Sequence, residues 1–162
     1  GGPSIYTEVP RDVLATASRP GGAWGNSSEE DRNRRSVYIF VKRSLHEPFL
    51  SAFDWADTDN TCDVRFVTTV PTQTLTLMNS KFLNDSAETL AKHVAEVAPG
   101  DATAQIRNVL HRATHRKPTD EEVQDGLDLI KELKEKTKAS QDDAMQRFCL
   151  LVLNLNEFLY LD

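Results

Sequence analysis

From Thr69 to the end of the chain, apolar positions recur at helical spacing, and turn residues punctuate them. Pro71 suits a first helical turn with Thr69 as its cap, Leu75, Leu77 and Met78 give that short helix an apolar side, and Asn79 can close it. Over residues 81–97, Phe82, Leu83, Leu90, Val94 and Val97 mark a second helix. "APGD" (98–101) reads as a stop followed by a new cap, and Ile106, Val109, Leu110 and Ala113 mark a third. In "HRKPTDEE" (115–122), Pro118 ends one helix, Thr119 caps the next and Glu122 completes a capping box. Val123, Leu127, Ile130 and Leu133 then trace a narrow stripe on a charged helix. The final segment, from Gln141 to Tyr160, is apolar on most faces and predicts a central helix.

The first third reads differently. Residues 1–30 carry so much glycine and proline that no long element fits, apart from a short turn around Asp12–Thr16. Tyr6 and Trp24 in this irregular arm are expected to dock on the rest and bury their rings. Ser27 or Ser28 with Glu29, Glu30 and Asp31 makes a helix start, since anions are favoured in a first turn. "VYIFV" (37–41) fits a strand by composition and a buried helix by position, and it is read as a continuation of that helix. The pattern predicts a mainly α protein: one globular helical domain of five or six helices over residues 31–162, preceded by the arm. No period of repeat length recurs.

Composition narrows the function classes. A chain of 162 residues with a formal charge of −6 can bury a core but lacks the excess of cations a sequence-independent nucleic-acid binder needs. Arg32, Arg34, Arg35, Lys42 and Arg43 form a basic cluster, which is more often a solvated or salt-bridged face than an anion site. No segment reads as a secretory signal, and "FCLLVLNLNEFLYL" (148–161) is too short and too polar to span a bilayer. The two cysteines, Cys62 and Cys149, make no metal or haem-attachment motif. They are either separate buried thiols or a disulfide.

Candidate chemistry concentrates in residues 53–79. Asp57, Asp59 and Thr61 resemble the opening of a calcium loop, but Cys62 stands where glycine is needed and Thr68 where a bidentate glutamate is needed. That excludes an EF-hand and leaves an irregular calcium site. Asp54 or Asp57 with Asp63 offers the carboxylate pair that glycosidic hydrolysis requires. Arg65 is a fork donor suited to Asp54 or Asp57. Thr68, Thr69, Gln73 and Asn79 read as helix caps around Pro71, so architecture accounts for most of the block. His111 and His115 share a helix face, yet Arg112 replaces the glutamate of a zinc-protease motif.

The blocks "RRSVYIFVKRSL" (34–45), "FD" (53–54), C-x-x-R-x-x-T-T-x-P-x-Q-x-L-x-L-x-N (62–79), R-K-P-T-x-x-E (116–122) and "LNLNEFLYLD" (153–162) occur in this order, after "GGPSIY" and "SRPGGAWG". Together they resemble the C-terminal part of a domain family of unknown function, DUF1553, found in large exported planctomycete proteins that often carry a cytochrome-c-like domain. The resemblance implies a setting outside the cytoplasm, periplasmic or at the cell surface, and favours a Cys62–Cys149 disulfide. It carries no catalytic residues and no haem ligand onto this chain. Arg34, Arg35, Arg65, Thr68, Gln73 and Asn79 coincide with its most recognisable blocks.

The leading expectation is a non-catalytic module of an exported protein that supports neighbouring domains or binds a ligand such as polysaccharide, with no cofactor on this chain. Its ligand candidates are Asp54, Asp57, Asp63, Arg65, Thr68, Gln73, Asn79, Arg34 and Arg35. The alternatives are a carbohydrate hydrolase or lyase using Asp54, Asp57, Asp63 and Arg65, with or without calcium, and an accessory to a cytochrome-c-like electron-transfer partner.

Overall fold

A computed structural model describes residues 2–15, 22, 24–56, 58, 61, 63–64 and 68–160. These residues carry nine α-helices and a single 3-10 turn; their only β pairing is two isolated bridges, so the protein is mainly α. Five helices reach nine residues or more. The chain divides into two compact units, Gly1–Gln73 and Thr74–Asp162.

The first unit holds α1 (Arg11–Ala15), α2 (Glu29–Arg32), the 3-10 turn Ser36–Tyr38 and α3 (Pro48–Ala52). Ser28 caps α2 by accepting from the Asp31 N–H, with Glu29, Glu30 and Asp31 in the first turn as expected. The helix stops at Asn33, however, and "VYIFV" does not continue it. Its backbone pairs with the arm instead: the Ile5 N–H donates to the Tyr38 carbonyl and the Phe40 N–H to the Ile5 carbonyl, both at 2.8 Å. β-branched and aromatic residues lose little by lying extended, and a partner for their backbone groups decides the matter. Ile5 and Val9 are buried, and Tyr6 sits 5.5 Å from Trp24 and 5.1 Å from Phe40 between ring centroids. The Trp24 Nε1–H donates to the Thr7 carbonyl at 2.8 Å. The arm is docked through its rings, and Gly25 permits this, because a Cβ there would lie 2.7 Å from the Tyr6 ring.

α4 (Pro71–Asn79) contains the division between the units. Its apolar residues face opposite ways: Leu77 is fully buried, whereas Leu75 and Met78 are about half exposed, and Gln73 is buried in their stead. Gln73 and Leu77 lie four apart, so one face of the helix is inward and it begins with an amide.

The second unit is built from α5 (Lys81–Val97), α6 (Ala102–Thr114), α7 (Asp120–Thr137), α8 (Gln141–Val152) and α9 (Asn156–Leu159). Each long helix packs on the next, and α5 closes the set against α8. Val94, Ile106, Val109, Val123, Ile130 and Phe148 belong to its core. Phe82 and Val97 of the expected α5 stripe are exposed, leaving Leu83, Ala87, Ala91 and Val94 as its buried face. Small alanines let α5 approach its neighbours closely. Gly126 does the same on α7, where a Cβ would come within 2.9 Å of Ile106 and 3.0 Å of Phe148.

Caps set the turns. Asp101 accepts from the Ala104 N–H, and full capping boxes form at Thr119–Glu122 and Ser140–Asp143. The last apolar segment is not one helix to Tyr160. It breaks after Val152, where the Asn154 side chain donates to the Leu150 carbonyl at 2.7 Å and short-range bonds close the turn, and α9 starts anew at Asn156. α9 is then tied back by Arg116, which donates to both Glu122 (2.5 Å) and Glu157 (2.8 Å).

The Arg116 guanidinium, with the Thr119 N–H, pulls the Glu122 carboxyl down to about 2 from its ordinary 4.5. A carboxyl depressed in the folded state stabilises above its unfolded value and ceases to do so as pH falls through the folded one. The wild-type urea midpoint is therefore expected to drop between pH 4.5 and pH 2 more steeply than that of Glu122→Gln, whose amide keeps the capping geometry. Parallel curves would mean that Glu122 has no part in acid stability.

Candidate functional site

Among the described residues of the block, Asp54, Thr68 and Gln73 are joined by a chain of bonds in the first unit. α3 ends at Phe53, and Asp54 adopts a left-handed backbone (φ 54°), a conformation that Asp tolerates better than most residues. This turn aims the Asp54 carboxylate at Thr68: the Thr68 N–H donates to Oδ2 at 2.6 Å and the Thr68 hydroxyl to Oδ1 at 2.9 Å. The Thr68 carbonyl in turn accepts from the Gln73 side-chain N–H at 3.0 Å. Gln73 Oε1 accepts from the Val70 N–H at 3.3 Å, so the amide covers the start of α4 from inside. Asp54, Thr68 and Gln73 are thus brought together. Gln73 caps the N–H of Val70, three residues before it, which is half of a capping box.

The other expected residues lie elsewhere or play other parts. Asn79 ends α4 with its Nδ2 donating to the Leu75 carbonyl at 2.9 Å. Arg34 donates to the Pro3 carbonyl at 3.2 Å and lies over the Tyr38 ring, 4.1 Å from its centroid. It pins the arm and is not part of the Asp54 group. Arg35 is exposed and precedes the 3-10 turn, and Asp63 is exposed. Asp57, Asp59, Cys62 and Arg65 lie outside the described residues. Among the described residues, no three His, Cys, Asp or Glu side chains converge as a metal site would require. Cys149, whose expected partner is Cys62, is a buried thiol in α8, pushed up to about 12 by burial.

His93 and His111 make contacts within the second unit. α6 ends at Thr114 and His115 turns left-handed, so His111 and His115 do not share a helix face. His111 Nδ1 lies 2.9 Å from the Arg116 carbonyl, and His93 Nε2 lies 2.7 Å from Arg112.

A second feature of this unit escaped sequence reasoning. The extended segment 39–42 and α3 enclose a recess of about 10 Å³, lined by Phe40, Lys42, His46, Glu47, Leu50 and Trp55 among others. Glu47 caps α3, accepting from the Leu50 N–H at 2.7 Å. Partial burial outweighs those backbone bonds and raises its carboxyl above the ordinary value. His46 Nε2 lies 2.9 Å from the Thr58 hydroxyl. The signal in the sequence was "HEPF", a cap followed by a first-turn proline. Reading 37–41 as helix hid it, because only the extended course of that segment makes a wall.

The chain belongs to the family described as "PSD1: Protein of unknown function (DUF1553)", whose model matches residues 1–130. No curated protein and no solved structure matches it. No helix among the described residues is long and apolar enough to cross a membrane.

Proposed function

We propose that this member of a family of unknown function is a non-catalytic module of an exported multidomain protein, one that supports neighbouring domains or binds an extracellular ligand such as polysaccharide. The observation that carries the reading is the engagement of Asp54. Both its oxygens are taken by Thr68, whose carbonyl is taken by the buried Gln73. A carboxylate held by a backbone N–H and a hydroxyl acts as a cap; a general acid or nucleophile has to face a substrate. The family's most distinctive polar block is on this reading the hardware that starts α4.

The test incubates the whole chain with plant and bacterial polysaccharides, with calcium or with EDTA, and measures reducing ends and unsaturated products. No turnover is expected in either condition, and Asp54→Asn is expected to lower the melting temperature without changing binding. Turnover that Asp54→Asn abolishes in a protein of unchanged melting temperature would overturn the reading in favour of a hydrolase or lyase.

A further inference from the structure

The extended segment 39–42 has two edges, and one of them is taken. Ile5 meets the Tyr38 carbonyl and the Phe40 N–H, and the Leu45 N–H donates to the Lys42 carbonyl at 3.2 Å. Backbone groups of an extended chain alternate in direction, so Ile39 and Val41 address the opposite edge. There the Ile39 carbonyl and the Val41 N–H and carbonyl have no hydrogen-bond partner among the described residues. Val41 is 49 % exposed, so water serves these groups and a second strand can reach them. A bare edge invites pairing with another chain, and its charged side chains select which chain. Residues 34–43 contain Arg34, Arg35, Lys42 and Arg43 and no acid, with Arg35 and Arg43 exposed towards the two ends. Two copies meeting edge to edge would bring these cations together, which disfavours a second copy of this chain as the occupant.

We infer that the Ile39–Val41 edge is a docking strand for an extended acidic segment of a partner protein. One partner residue donates to the Ile39 carbonyl and accepts from the Val41 N–H, repeating on this edge what Ile5 does on the other. Main-chain bonds of this kind supply affinity without demanding a particular sequence. Specificity comes from charge: carboxylates flanking the paired residue answer Arg35 and the cations beside it. β-branched residues between those carboxylates suit the extended course. The inference is independent of the functional reading above, because an enzyme and a binding module alike can carry such an edge.

NMR titration of the isotope-labelled whole chain tests it with three acetylated octapeptides. The first alternates valine and threonine at its centre and carries two aspartates at each end. The second carries lysines in place of the aspartates, and the third is the acidic peptide N-methylated at its central residues. The acidic peptide is expected to bind and to slow hydrogen exchange of the Val41 amide about tenfold, leaving the already paired Phe40 amide unchanged. The lysine and N-methylated peptides are expected not to bind. Arg35→Glu is expected to weaken the acidic peptide severalfold, since exposed ion pairs contribute modestly. Val41→Pro removes the edge N–H and is expected to weaken it about tenfold. Should Val41→Pro melt early, the exchange pattern of the wild-type chain decides. Binding of the acidic peptide without protection of Val41 would overturn the inference, as would equal binding of the lysine peptide. No binding tighter than about 1 mM would overturn it too. Protection of Val41 that rises with chain concentration alone would make the occupant a second copy and refute the acidic partner.

Discussion

Phe148→Ala is expected to remove about 3–5 kcal/mol of stability, the usual cost of deleting a buried phenylalanine ring. Phe148 is 3 % exposed in the middle of α8, the helix that contacts α5, α6 and α7. The core cluster it belongs to includes the short side chains Ala87, Ala91, Val94 and Ala144, which cannot reach into the space a lost ring leaves. Domains are stable by about 5–15 kcal/mol, so this single change removes a large share. Urea unfolding followed by circular dichroism measures it through the midpoint, and a loss below about 1 kcal/mol would show that the second unit is loosely packed.

Gly126 supplies a stricter form of the same test. Its missing side chain leaves room for the Phe148 ring, at 3.0 Å from where a Cβ would stand, and for Ile106. Gly126→Ala gains about 1 kcal/mol of helix propensity but overpacks the crossing by about 1–3 kcal/mol, so a net loss is expected. Combined with Phe148→Leu, part of that loss should be recovered, since the smaller side chain vacates the contact. Strict additivity of the two changes would rule out the contact as the reason for glycine.

Much of the second unit could be read from residues alone. Thr119 with Glu122, and Asp101 after "APG", set helix starts by local chemistry that no tertiary contact needs to assist. Periodicity identified Leu83, Val94, Ile106, Val109, Val123 and Ile130 as core. It failed where the deciding partner is distant in sequence. "VYIFV" leaves its 3-10 turn at Ile39 and runs extended because Ile5, more than thirty residues away, takes its backbone bonds, and that pairing leaves no periodic trace. The break after Val152 was hidden by leucines on both sides of Asn154, whose side chain competes for a helical carbonyl. The inverted face of α4 was likewise invisible, since a buried glutamine looks polar until its partners are known. For the candidate site, the sequence pointed to Thr68 and Gln73 as caps, and Gln73 makes a bond of that kind; Asp54 reads there as a partner for Arg65 or a second carboxylate, so its bonds to Thr68 needed the fold. The recess needed the extended wall and therefore the fold.

The buried amide makes the second large prediction. Gln73→Leu preserves volume and suits a helix, and by hydrophobicity alone it should stabilise a position only 2 % exposed. The opposite is expected, a loss of about 1–3 kcal/mol, because the Thr68 carbonyl and the Val70 N–H would each lose a side-chain partner. The effect is on the first unit and on the start of α4, so protection of amides around residues 68–73 against hydrogen exchange should fall with the midpoint. Gln73→Glu separates the two bonds: its carboxylate can still accept from Val70 but offers the Thr68 carbonyl no donor, and it adds a charge in a buried place. It is therefore expected to be worse than leucine at neutral pH and to recover as the pH falls and the carboxyl gains a proton to donate. A Gln73→Leu protein as stable as wild type would mean that water or the backbone satisfies both groups, and the Asp54–Thr68–Gln73 chain would then be incidental to the fold. That result would return Asp54 to the list of groups available for a ligand, so this one substitution tests the architecture and the functional reading together.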